Sequence, residues 1–170
     1  MIDEKTILAK RAKELARVNK PEDRGEYLSI ILFTLANEEF GIEDRIVKEV
    51  IPLKDLTPLP GVPAFVAGII NVRGNIISIL DLKRFFDMPD PVMTDLTRVI
   101  ILKNEEMELG IIAEKVVGTG RAYLNEMQKT LPTLKGIRED YLKGITNNRV
   151  VILDYEKLLN DERIVINEKF

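Results

Sequence analysis

Acidic side chains stand in close pairs along this chain of 170 residues, among them Glu38-Glu39, Asp87 with Asp90, and Glu105-Glu106. Neighbouring carboxylates could divide acid and base roles or hold a magnesium ion. Each of these pairs, however, lies in a stretch that reads as a turn or loop, where acidic residues are ordinarily solvated. The chain contains no histidine and no cysteine. That removes the side chain best suited to proton transfer at neutral pH, the commonest zinc ligands and any disulfide. No glycine-rich phosphate loop, nucleophile elbow or metal-ligand spacing is present. The residue types therefore point to a binding protein with no catalytic residues, no cofactor and no metal. Arg73, beside Gly74, could simply be solvated on a turn, although its guanidinium fork suits a carboxylate held with two hydrogen bonds.

The elements that must position these residues follow from periodicity. Residues 3–18 read as an amphipathic helix, with Ile7, Leu8, Leu15 and Val18 on one stripe and Asp3 as its cap. Residues 1–20 hold six Lys or Arg against three Asp or Glu, a local excess of +3 within a chain of net charge −3. Such an arm could pack on its own domain, on a second copy or on a partner. A polar stretch with Pro21 and Gly25 breaks it. From Tyr27 the period becomes two, with both faces largely apolar, the mark of a strand covered on each side. Extended pieces follow at 47–51, 65–70, 76–80, 98–102, 109–113, around Val116, and at 144–145 and 150–153. Turns are expected at 37–39 and 73–75, and a less regular stretch at 118–141. Asp81 and Asp154 are placed to cap short helices at 82–86 and 155–159. The spacing predicts a mostly β fold of two small barrels. The acidic balance argues against nucleic acid, and no stretch approaches the ~18 apolar residues of a membrane span. The expected location is cytoplasmic.

Parts of the chain return in a fixed order. Leu35 to Ile42 is echoed by Leu102 to Ile111, each with Asn-Glu-Glu and Gly-Ile; Gly68 to Arg73 is echoed by Gly144 to Arg149; and Ile79-Leu80-Asp81 is echoed by Ile152-Leu153-Asp154. The order suggests a duplicated unit and a seam between two similar lobes where something can bind. The expected boundaries are an N-terminal helix and linker over 1–24, a core domain over 25–160 with halves at about 27–88 and 97–153 sharing strands at the seam, and a tail over 161–170.

The run from Phe65 through Asn71-Val72-Arg73-Gly74 to Asp81-Leu82 resembles the signature stretch of the CheW family, the coupling proteins of bacterial chemotaxis. The resemblance spans roughly residues 25–160. Val72, Ser78, Lys83 and Glu114 depart from the usual Leu, Pro, Arg and Asp. The resemblance implies a mostly β, CheW-like fold of two five-stranded SH3-like β-barrel subdomains with short helices, to which the N-terminal helix is an addition. It implies an adaptor without catalytic activity that joins the cytoplasmic tip of a chemoreceptor to the regulatory domain of the histidine kinase CheA, with ring or array assembly. On this alignment Ile42, Val47, Glu49, Gly68, Arg73 and Val116 form a receptor groove, in which Arg73 faces Glu49 and Gly68 lets a helix backbone come near. Leu53, Leu56 and Leu59, three leucines among prolines, mark the kinase surface, while Asn71, Gly74 and Asp81 are structural. The alternative within the same fold is a scaffold for a non-motility array, its N-terminal helix binding a further protein.

Overall fold

The computed structural model describes residues 25–89, 93–129 and 139–165. The expected N-terminal helix and linker over 1–24, the acidic candidate Asp90 and residues 166–170 of the expected tail lie outside the described residues. Ten strands run in chain order: β1 (Tyr27–Leu35), β2 (Glu38–Glu43), β3 (Val47–Pro52), β4 (Val66–Val72), β5 (Asn75–Leu80), β6 (Arg98–Lys103), β7 (Glu108–Ala113), β8 (Lys115–Tyr123), β9 (Leu142–Ile145) and β10 (Val151–Leu153). Short helices α1 (Leu82–Phe85) and α2 (Tyr155–Leu159) follow β5 and β10, and α3 (Glu162–Val165) occupies the start of the expected tail. Among the described residues, no helix is long and apolar enough to cross a membrane.

The strands form two five-stranded sheets, β3-β6-β7-β5-β4 and β8-β1-β2-β10-β9. Adding five to each strand number of the first order, and wrapping past ten, reproduces the second. The duplication expected from sequence is thus present, but its halves do not fold as contiguous lobes. Each sheet takes two strands from one half of the chain and three from the other, so the halves are interleaved across the seam. The physical reason is that β1-β2 and β6-β7 are local hairpins whose outer edges are open to any partner; each pairs with the other half instead of its own. The halves join at two places in each sheet, antiparallel between β3 and β6 or β1 and β8, and parallel between β5 and β7 or β2 and β10.

Register matches in detail. Gly41 faces Leu32 and Ile152, while Gly110 faces Ile101 and Ile79. Both sheets slip at the same places, at Lys48 and Ala67 in one and at Val117 and Lys143 in the other. The Gly-Ile part of the echo is therefore a true equivalence. The Asn-Glu-Glu part is displaced by two positions, because Thr34 pairs with Glu39 just as Lys103 pairs with Glu108. The expected irregular stretch also begins later, since β8 continues through Tyr123. Its Gly118 and Gly120 flank Thr119 and weaken the strand signal, and the strand forms because β1 supplies a partner along its length.

Each sheet is drawn back toward an open barrel by one further bridge. Thr57 and Ile69 exchange hydrogen bonds of 2.9 Å, and Gln128 and Ile145 do the same at 2.9 and 2.7 Å. Three apolar clusters result. One lies between the sheets and includes Phe33, Phe40, Ile42, Ile100, Leu102 and Leu109. Another fills the first barrel with Ile70, Ile77, Ile79, Val99, Ile101 and Ile112; the third, in the second barrel, has Ile30, Ala122, Val150 and Ile152 buried among the described residues, with Leu28, Leu32 and Met127 packed against them. Strands covered on both faces explain why β1 is apolar on both.

Candidate functional site

The hairpin of β4 and β5 places Arg73. Val72 pairs with Asn75, so Arg73 and Gly74 form a two-residue loop. Both have positive φ, 51° and 88°, as a type I′ turn requires. Gly74 adopts this without cost; Arg73 does so against the steric preference of a residue with a Cβ, about 1–2 kcal/mol. The side chain of Asn71 ties the turn, its Oδ1 accepting from the Gly74 N–H at 2.8 Å. The turn aims Arg73 at β3, where its Nη1 and Nη2 donate to Oε1 and Oε2 of Glu49 at 3.3 and 3.0 Å. The fork-to-fork pair is open to solvent, with the Arg73 side chain 76 % exposed and that of Glu49 20 % exposed. Val50 and Ile76, neighbours of the pair along the chain, are also exposed, Ile76 by 63 %. Sequence reasoning missed both. The apolar run at 75–80 carries no mark of which isoleucines the register turns outward.

Val47 and Val116 hold the same register position in the two sheets, each beside a slip, opposite Leu102 and Phe33. Both are half-buried and pack on the cluster between the sheets. Ile42, expected alongside them in a groove, is 0 % exposed within that cluster and supports the seam from inside. Gly68 also differs from expectation. Its open side is already filled, since an added Cβ would meet the Thr57 carbonyl oxygen at 2.3 Å. The close approach that glycine permits here is intramolecular, between the closing loop and β4, and it serves the barrel, not an incoming helix. Gly144 plays the same part opposite Met127 and Gln128.

Leu53 and Leu56 fold back onto the first barrel's cluster, and Leu59 is half-buried on the same loop. Asp81 caps α1, accepting from the N–H groups of Lys83 at 3.0 Å and Arg84 at 3.4 Å; Asp154 caps α2 from Lys157 at 3.2 Å. Lys83 and Glu114, two departures from the family pattern, prove to be partners in one ion pair in which Lys83 is buried. A shorter cation is matched by a longer carboxylate, so the two departures compensate each other. A second buried carboxylate, Glu43, is held by Lys143 at 3.0 Å and Arg45 at 3.3 Å. Burial pushes the nearby Tyr155 hydroxyl above its ordinary range, with Arg45 opposing and Glu43 adding to the effect. Among the described residues, no group of three or more acidic side chains is arranged to hold a metal ion. The arrangement offers a clasped, exposed arginine, half-buried valines on a seam, and apolar surface nearby.

Comparison with known proteins follows this geometry. Residues 29–163 match the family model described as the CheW-like domain. The chemotaxis protein CheW of Treponema pallidum (strain Nichols) is 28 % identical over 146 residues, covering 82 % of this chain and 86 % of its own. The CheW of Klebsiella aerogenes is 27 % identical over 155 residues, covering 89 % and 93 %. The crystal structure of the scaffolding protein TtCheW from Thermoanaerobacter tengcongensis matches with a TM-score of 0.71 at 26 % identity, over 85 % of this chain and 96 % of that one.

Proposed function

The chain belongs to the CheW-like domain family, and from that premise we propose that it is a non-enzymatic cytoplasmic adaptor coupling chemoreceptor tips to the histidine kinase CheA. At the coarser level the family's members are scaffolds of chemosensory signalling. The observation that carries the finer reading is Arg73. A turn selected only for stability would place Asn or Gly at this left-handed position, yet an arginine holds it, largely exposed, clasped to Glu49. Strain kept at an exposed recognition side chain is the pattern of a functional site. The receptor surface would comprise Arg73 and Glu49 at its entrance and Val47 and Val116 along the seam, with Ile42 and Gly68 beneath as support. Leu53, Leu56 and Leu59 would form the kinase-facing patch, offering the half of each side chain that the barrel leaves uncovered. Asn71, Gly74 and Asp81 would hold the turn and helix in place.

Co-sedimentation with membranes carrying chemoreceptors, with and without a CheA-type kinase, tests the two contacts separately. Reversing Lys54 and Asp55, which flank the leucine patch, should weaken recovery of the kinase while leaving receptor association intact. Raising the salt concentration should weaken whichever contact rests on exposed charge. Unchanged kinase recovery from the reversed variant would remove the patch from the proposal, and failure of the unmodified chain to associate with either partner would overturn the adaptor reading.

A further inference from the structure

The chain leaves one sheet for the other at two crossovers, Asp44 to Ile46 between β2 and β3, and Glu114 between β7 and β8. Each crossover leads within two residues to a seam valine, Val47 or Val116. Each also runs beside a short helix. Four residues on from the paired Ile79 and Gly110 stand Lys83 of α1 and Glu114; four on from the paired Ile152 and Gly41 stand Glu156 of α2 and Arg45. The duplicated frame thus sets a cation level with a carboxylate at both places, with the polarity reversed: the helix brings the positive charge at one and the negative charge at the other.

The two crossovers are held unequally. Lys83 is 2 % exposed and its Nζ is paired with the Glu114 carboxylate. The backbone of Lys83 is fixed on both sides, its N–H donating to Asp81 Oδ1 at 3.0 Å and its carbonyl accepting from the Met88 N–H at 2.7 Å. Glu114 donates its own N–H to the Thr34 carbonyl of β1 at 3.0 Å, so this one residue ties α1 to the opposite sheet. At the other crossover the Arg45 side chain is 63 % exposed and its guanidinium lies 5.3 Å from the ring centre of Tyr155. Its Nε donates to Oε1 of the buried Glu43 at 3.3 Å, while Lys143 of β9 donates to Oε2 at 3.0 Å. Glu43, and to a lesser degree Tyr155 and Glu156, push the Arg45 guanidinium above its ordinary range.

A buried cation is costly to desolvate, and an apolar residue of similar volume serves stability as well or better. What the charged pair adds is a fixed length and direction to one carboxylate. We propose that Lys83 and Arg45 are positioning residues of the seam: Lys83, through Glu114, places Val116, and Arg45, through Glu43 and Tyr155, places Val47. The consequence for receptor binding rests on the adaptor reading; the placement of the valines does not.

Glu114→Asp shortens one partner of the buried pair and Lys83→Arg lengthens the other. Glu114→Asp alone should shift the NMR methyl signals of Val116 while leaving those of Val47, and should weaken receptor co-sedimentation by about threefold or more with kinase recovery unchanged. Adding Lys83→Arg should restore both. Arg45→Gln should move the Val47 methyl signals instead, with a smaller loss of receptor association. A Lys83→Met, Glu114→Met variant leaves no charge unpaired; it should stay folded in urea titrations and still displace Val116. Val116 signals unmoved by Glu114→Asp, or shifted equally in the single variant and in the double variant with Lys83→Arg, would overturn the proposal. So would full receptor association by a folded variant whose Val116 has moved. If the unmodified chain binds no receptor, the adaptor reading fails, and the methyl shifts alone decide the placement.

Discussion

The two barrels share strand order, register and the positions of their slips, yet they are finished in different ways. The first is filled with six buried Ile and Val residues and carries a hairpin that runs two pairs further than its counterpart, through Asn71 with Ile76 and Val72 with Asn75. The second has a shorter hairpin that ends in a three-residue loop, with Thr146 bonded directly to Val150 and Asn147 to Arg149 between them. Glu49 of β3 is matched in register by Gly118 of β8, so the second barrel has no acid where an Arg149 clasp would need one. Duplication thus supplied two equivalent frames; a longer hairpin and a single acidic residue gave one of them an exposed arginine clasp, while small residues left the other with an opening.

The sharpest way to break this comparison is at the closing bridges, where both barrels rely on a glycine. Gly68 has φ 150°, and a Cβ there would strike backbone at 2.3 Å; Gly144 would meet Met127 Cβ at 3.0 Å and Gln128 O at 3.2 Å. Gly68→Ala should cost about 3 kcal/mol and Gly144→Ala about 1 kcal/mol, read from urea unfolding. Equal costs would mean that the closures are not as unlike as the geometry requires.

The contrast in filling predicts a reciprocal pair with unequal outcomes. Ile70→Thr places a hydroxyl in the packed first barrel and should cost about 2 kcal/mol. Thr146→Ile, at the matched position, adds apolar volume beside the second barrel's opening but loses the bond in which Thr146 Oγ1 accepts from the Val150 N–H at 3.1 Å. Gain and loss are each about 1 kcal/mol, so its stability should stay within about 0.5 kcal/mol of the parent. A large stabilisation would show that the hydroxyl contributes little. The caps sharpen the comparison on a smaller scale: Asp81 is buried and serves two N–H groups, Asp154 serves one. Replacement by Ala should cost about 1 kcal/mol at Asp81 and about 0.5 kcal/mol at Asp154.

Much of this was legible in the sequence because it is local. Alternation located nearly every strand, the Asp residues before short apolar runs marked both caps, and the ordered echoes revealed the duplication. What sequence could not supply is pairing between strands distant along the chain. A hairpin pattern in β1-β2 says nothing about whether β3 or β8 takes its open edge, so which strands are shared across the seam stayed hidden. Gly118-Thr119-Gly120 hid the far half of β8, because its partner and not its own composition holds it extended. The fate of Ile42 and Gly68 was invisible for the same reason: whether an apolar residue or a glycine faces a partner or its own chain depends on what the closing loop covers. The Arg73 to Glu49 clasp was reached only through family resemblance, since the two residues are far apart in sequence and each is ordinary alone.

That clasp is where stability and function should separate most clearly, and where the expected change in stability is smallest. An exposed ion pair contributes ~0–1 kcal/mol, and the backbone strain at Arg73 is of similar size and opposite sign. Arg73→Gly, which forfeits the pair but relaxes the turn, should therefore unfold within about 1 kcal/mol of the parent, on the more stable side. Glu49→Ala alone should cost no more than about 1 kcal/mol, and in an Arg73→Ala, Glu49→Ala double-mutant cycle the coupling energy should fall below the same figure. Receptor association should nonetheless drop sharply for every variant lacking the guanidinium, since the proposed receptor contact runs through its exposed fork. A coupling energy of about 3 kcal/mol or more would instead mark the pair as buried scaffolding. Full receptor association by the stable Arg73→Gly protein would mean that the strained arginine has no part in recognition.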